Sequence, residues 1–135
     1  MCPATRLHMS DTFTYRNLKV WNAAIDLVED CYRATAGFPR EETYGLTSQI
    51  RRAACSIPAN LAEGHCRRST KAYANHVSIA LGSHGEVETC LEVSARLGFL
   101  SEARKKAVLS NCDAVGRMLN GLYGSLERKL SNPSP

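Results

Sequence analysis

The sequence predicts an all-α protein, an antiparallel up-down-up-down four-helix bundle, and three observations carry that reading. Apolar residues recur at steps of three and four along four long segments, the spacing that lines one face of an α-helix. Ala, Leu, Glu, Arg and Lys dominate those segments, whereas Val, Ile and the aromatic residues occur mostly singly. Short polar or Gly/Pro-containing connections separate them, which sets consecutive helices side by side in opposite directions. A chain of 135 residues, 44% hydrophobic and 22% charged, suits one domain whose core needs neither disulfides nor a metal.

Residues 1–16 carry Pro3, scattered Ser and Thr and no periodicity, which predicts a flexible arm anchored by Phe13. The bundle is expected over 17–131, with a disordered tail at 132–135. Asn17 is the expected N-cap of the first helix, which presents Leu18, Trp21, Ile25, Val28 and Tyr32, widened by Val20, Ala24, Leu27 and Cys31. Phe38-Pro39 ends it beyond Gly37, because proline disfavours helix in the residue before it. The second helix opens between Thr43 and Leu46, with Glu41 and Glu42 near its positive end, and its stripe is Leu46, Ile50, Ala53, Ile57 and Leu61. Pro58 is expected to kink or restart it with Ser56 as cap, and Gly64 to end it.

The third helix is expected from Ser69 or Thr70, carrying Tyr73, Val77, Ala80, His84, Val87 and Leu91, with Ile79, Leu81, Ala95 and Leu97 broadening the face. Gly82 and Gly85 would permit close helix approach, Gly98 would form the C-cap, and Phe99 and Leu100 would cover the bundle end. The fourth helix opens at Ser101 and runs to about Leu130 on the stripe Val108, Cys112, Val115, Leu119, Leu122, Leu126. No segment reaches the ~18 apolar residues of a membrane helix and the N-terminus lacks an apolar signal core, so a cytoplasmic location is expected. None of the six cysteines falls in a C-x-x-C pair, and all are expected as free thiols, Cys31 and Cys112 in the core.

The net charge of +4 is unevenly spread. Residues 44–71 hold Arg51, Arg52, Arg67, Arg68 and Lys71 against Glu63 alone, and a second group stands at Arg104, Lys105 and Lys106. Guanidinium forks phosphate oxygens and counterion release adds affinity, so the first five are candidate nucleic-acid contacts. The competing reading is a solvated face, ion-paired to Glu63, Glu86 or Glu88. Gln49, Ser56, Asn60 and Glu63 step along the polar edge of the second helix, and Ser83 and Glu86 flank the stripe of the third; these six predict a polar network that fixes helix register or a subunit contact. No nucleophile–base pair, metal quartet or phosphate loop completes a mechanism, so no catalytic residue, cofactor or metal is expected and the protein reads as a non-enzyme. His65, Cys66, His76 and Cys55 fit no zinc spacing, and His84 reads as a core or interface histidine.

The run Leu18-x-Val20-Trp21, the block from Phe38-Pro39 through Glu41-Glu42, Tyr44 to Thr47 and Gln49 to Ala54, then Ser56-Ile57-Pro58-x-Asn60-x-Ala62-Glu63-Gly64 and Ile79-Ala80-x-Gly82-Ser83-x-x-Glu86, resembles small four-helix-bundle proteins encoded in intervening sequences of bacterial large-subunit ribosomal RNA genes. The resemblance spans about residues 13 to 100; the last helix matches in pattern alone. His65-Cys66 and His84 depart from residues common in that family. What it implies is a homopentameric ring, as in the related accessory variability proteins of diversity-generating retroelements, which bind nucleic acid and a reverse transcriptase through basic surfaces. The expected function is a non-enzymatic oligomer that binds RNA or DNA, the alternative a protein-interaction scaffold with no nucleic-acid ligand.

Overall fold

Four amphipathic segments of the sequence become four helices in the computed structural model, which describes residues 13–132: α1 (Lys19–Thr35), α2 (Leu46–His65), α3 (Thr70–Arg96) and α4 (Glu102–Ser131). Two 3-10 turns, Tyr15–Asn17 and Arg40–Glu42, precede α1 and α2, and no strand occurs among the described residues. Each helix packs against two others, α1 on α2 and α4, α3 on α2 and α4, while the backbones of the diagonal pairs stay further apart. The apolar stripes therefore converge on one core. Leu27, Ile50, Ile57, Leu61, Val77, Val87, Leu91, Val108, Val115 and Leu119 are fully buried in it. Burying each such side chain is worth about 1.5–3 kcal/mol.

Sequence chemistry fixes most helix ends. α3 and α4 start where expected, and Ser69 and Ser101 cap them, their hydroxyls accepting from the backbone N–H groups of Ala72 and Arg104. Gly98 takes φ +82°, and the bonds Gly98 N–H to Ala95 O and Phe99 N–H to Ser94 O close a Schellman motif after α3. The Phe99 and Phe38 rings lie 5.8 Å apart, tilted at 53°, and Leu100 is buried in the same core, so this end is covered as predicted. Glu42 does more than sit near a dipole: its carboxylate accepts the Leu46 N–H at 3.0 Å. No helix among the described residues is long and apolar enough to cross a membrane.

Several expectations need correction. Asn17 does not cap α1, which starts two residues later; its side chain accepts instead from Thr14 N–H and closes a capping box on the preceding turn. Most of the predicted arm lies outside the described residues; its last part is this turn, where the Tyr15 ring lies 5.2 Å from Trp21. The tail beyond residue 132 is likewise outside them. On α1 the buried line is Val20, Ala24, Leu27 and Cys31, and Tyr32 is exposed, because the core takes the narrower of the two overlapping stripes. Pro58 neither stops nor restarts α2, which runs on through it with the ring buried, and Ser56 caps nothing. Burial of the ring outweighs the lost backbone bond. Gly64 is inside α2, pressed against α3: a Cβ there would meet His76 Cβ at 2.7 Å and Tyr73 Cδ1 at 2.9 Å. Gly82 and Gly85 face open space, and Ile79 and Leu97 are exposed.

The two halves of the fold differ in length. By the helical rise, the 17 and 20 residues of α1 and α2 span about 26 and 30 Å, the 27 and 30 residues of α3 and α4 about 40 and 45 Å. Where the longer pair meets its connection, Glu92 holds Arg96 Nε at 3.0 Å and Lys105 Nζ at 3.4 Å. The Arg96 hydrogen bond first, then the Lys105 charge, keeps the Glu92 carboxyl below the usual range.

Candidate nucleic-acid interface

The five predicted cations do not form one patch. Arg51 leaves α2 toward α1, where its guanidinium lies 4.4 Å over the Tyr32 ring, Nε donates to Thr35 Oγ1 at 2.8 Å and a terminal nitrogen donates to Tyr32 O at 3.3 Å. A guanidinium so engaged joins two helices. Arg52 is exposed on the α2–α3 side. Arg67, Arg68 and Lys71 gather about fifteen residues further on, at the turn from α2 to α3, all exposed. That is about 22 Å along the helix. Arg67 pairs with Glu63 at 3.6 Å, both side chains more than half exposed, so the pair is weak and Arg67 can be drawn to another anion.

The same turn carries aromatic groups. His65 stands edge-on to Tyr73 with ring centroids 5.7 Å apart, and the Phe13 ring also lies 5.7 Å from His65, tilted at 42°. Burial pushes the His65 pKa down. Tyr73 Oη is buried with no hydrogen-bond partner among the described residues, and burial raises its pKa. Arg16 lies 5.4 Å above the Trp21 ring. Sequence reasoning passed over Arg16, because it stood within the expected arm; the Thr14 capping box was the signal that could have ordered it.

The predicted polar network is present and follows the α2–α3 seam. Ser83 Oγ donates to Ser56 Oγ at 2.8 Å, Asn60 Nδ2 donates to Ser56 O and Oγ at 2.9 and 3.1 Å, and Asn60 Oδ1 meets His76 Nδ1 at 3.0 Å. Glu63 Oε1 lies 3.6 Å from the same His76 nitrogen, and Gln49 donates to Glu86 at 3.2 Å. All six predicted residues, Gln49, Ser56, Asn60, Glu63, Ser83 and Glu86, thus lie on one seam; His76, weighed in the sequence only as a metal ligand, is its further member. Gln49, Arg52, Ser56, Ser83 and Glu86 also line a shallow recess of about 250 Å³. Paired hydroxyls and amides of this kind hold two helices in register and leave no unpaired nucleophile.

His84 is buried where expected, its Nε2 at 2.7 Å from Cys112 O and its Nδ1 at 3.7 Å from Glu88 Oε1. Cys31, Cys55, Cys90 and Cys112 are free thiols as expected, whereas Cys66 is disulfide-bonded, contrary to the expectation of six free thiols. Burial, with smaller contributions from nearby charges, pushes the Cys31 and Cys112 thiols up to about 12.

Compared with known proteins, residues 16–121 match the family model described as 23S rRNA-intervening sequence protein. A crystal structure of a protein with unknown function from the S23 ribosomal protein family of Bacteroides thetaiotaomicron VPI-5482 aligns with a TM-score of 0.72 at 20% identity, covering 78% of this chain and 95% of that one. At that identity the likeness speaks for the fold alone. None of the curated proteins matches.

Proposed function

Because the chain belongs to the 23S rRNA-intervening sequence protein family, we propose that it is a non-enzymatic cytoplasmic protein that binds RNA or DNA through one basic end of an antiparallel bundle. The antiparallel reading rests on contacts that run in opposite senses along neighbouring helices. Between α2 and α3, Gln49 meets Glu86, Ser56 meets Ser83 and Asn60 meets His76. Between α3 and α4, His84 meets Cys112 and Glu92 meets Lys105. Between α1 and α2, Thr35 meets Arg51, while Phe13 ahead of α1 meets His65 at the end of α2.

With helices so directed, the start of α1, the end of α2, the start of α3 and the end of α4 share one end. Charge is the observation that carries the proposal. Residues 13–21, 63–75 and 120–132 hold Arg16, Lys19, Arg67, Arg68, Lys71, Arg128 and Lys129 against Glu63 and Glu127. Seven cations against two carboxylates exceed the +4 of the whole chain, so the remainder is close to neutral. Phosphate backbones are held by such a concentration of cations, with affinity that falls as salt displaces the released counterions. Phosphate contacts of this sort fix position without reading bases.

A fluorescence-anisotropy titration of a labelled RNA hairpin and a DNA duplex across a salt series tests it. Replacing Arg67, Arg68 and Lys71 together with glutamine is expected to weaken binding about tenfold or more and to flatten the salt dependence by about two to three counterions, with helicity unchanged. Arg51→Gln, by contrast, should leave binding intact and lower the thermal midpoint, since that side chain joins α1 to α2. No binding at low salt, or binding indifferent to salt, overturns the proposal.

The outer side of α3 favours a second reading, a protein-interaction scaffold. Ile79, Val93 and Leu97 are exposed there, more apolar surface than a helix needs in water. Self-association, including a homopentamer, and docking of a reverse transcriptase-like protein are the expected uses of such a face. Light scattering after size exclusion checks the first: a stable monomer that recovers no partner protein would remove this reading.

A further inference from the structure

We propose that His84, Glu88 and Cys112 form a site for a zinc-type transition-metal cation between α3 and α4. A nitrogen of His84, a carboxylate oxygen of Glu88 and the Cys112 sulfur all lie within 4.8 Å of one another. Around a tetrahedral ion with bonds of roughly 2.0–2.3 Å, ligand atoms stand roughly 3.3–3.8 Å apart, so small side-chain rotations close the triad on one ion. His84 and Glu88 are four residues apart and share a face of α3. Cys112 comes across from α4.

A second observation concerns the imidazole. The Cys112 carbonyl can only accept, so the His84 nitrogen 2.7 Å from it, Nε2, is the one that carries hydrogen. In the neutral ring this leaves the lone pair on Nδ1, the nitrogen facing Glu88 at 3.7 Å. Metal-binding histidines are held in this way, the far N–H donating to a backbone carbonyl so that ring orientation and tautomer are fixed before the ion arrives. Gly116 makes the arrangement possible: a Cβ at that position would lie 2.7 Å from His84 Cε1 and 2.8 Å from Nε2.

Nitrogen, oxygen and sulfur donors together exclude a preference for calcium or magnesium and suit zinc and its neighbours in the first row. Cys112 is wholly buried and His84 nearly so, while 42% of the Glu88 side chain is exposed. The ion would enter from the Glu88 side, where water completes the coordination. On ligation the thiol proton leaves to solvent.

Cobalt(II) is the probe, added to the full chain stripped with a chelator, with exposed Cys55 replaced by serine as background. The expected result is a saturable spectrum at one equivalent, with the ligand-field bands of tetrahedral coordination and a thiolate-to-cobalt charge-transfer band, both lost on adding zinc. Cys112→Ser should abolish the charge-transfer band while Cys90→Ser keeps it. Glu88→Gln, at a partly exposed position, should weaken cobalt binding about tenfold or more while the metal-free protein keeps its helical circular-dichroism spectrum. No saturable band, a charge-transfer band that survives Cys112→Ser, or unchanged affinity in Glu88→Gln overturns the proposal. The last measurement decides the matter even where Cys112→Ser fails to fold.

Discussion

Single residues account for much of what is specific to this bundle. Tyr73 buries a hydroxyl that finds no partner among the described residues, a group that costs about 1–3 kcal/mol when left unpaired. Tyr73→Phe is therefore expected to hold or raise the urea midpoint, the reverse of what loss of a working hydrogen bond would do. The buried thiols add a pH dependence. Cys31 and Cys112 are pushed up from 9.0 to about 12, so their contribution is complete below pH 9, where both states carry the thiol. Above it the unfolded chain loses protons that the folded chain keeps, and the contribution is lost as pH rises toward 12. Urea midpoints taken from pH 8 upward should fall, and fall less steeply in Cys31→Ala. The starts of α3 and α4 at Ser69 and Ser101 and the stop at Gly98 were legible because each acts within a few residues. Arg51 was not, because its fate depends on Tyr32 and Thr35 across a helix interface that a charge count does not see.

For the helices, the pair of glycine environments gives the sharpest contrast. Gly82 faces open space in the middle of α3, so Gly82→Ala should stabilise by about 1 kcal/mol. Gly64→Ala should destabilise, since its methyl would fall under 3 Å from His76 and Tyr73 on the facing helix. Thermal melts of the two variants should therefore move in opposite directions. Sequence periodicity located all four helices, and the stripe of α4 from Val108 to Leu126 was the clearest because apolar residues there form a single line. On α1 two lines overlap, and only the neighbours decide which is buried; the same holds for Pro58, which is buried inside a continuous α2 where a restart was the alternative to a kink. The polar seam was readable because its spacing matches a helix edge, yet His76, weighed only as a metal ligand, was not placed in it, its partners Asn60 and Glu63 being on another helix.

At the scale of the whole molecule, chain reversal is what sequence reading underused. Arg67, Arg68 and Lys71 were grouped with Arg51 and Arg52 by proximity along the chain, whereas the proposed topology groups them with Arg16, Lys19, Arg128 and Lys129. Charge-reversing Arg128 and Lys129 to glutamate should accordingly weaken nucleic-acid binding as much as the turn substitutions do, measured by the same titration. The unequal helix lengths have a further consequence for motion. Where α3 and α4 outrun the shorter pair, Ser101 to Arg104 are all exposed, and Glu92 with Arg96 and Lys105 is an ion triad on the surface. Local opening begins where buried contacts are few, so protection against hydrogen exchange should be graded along the axis: slowest at Leu61, Val77 and Leu119, fastest in the first turn of α4, and faster still there as added salt screens Glu92 from its partners.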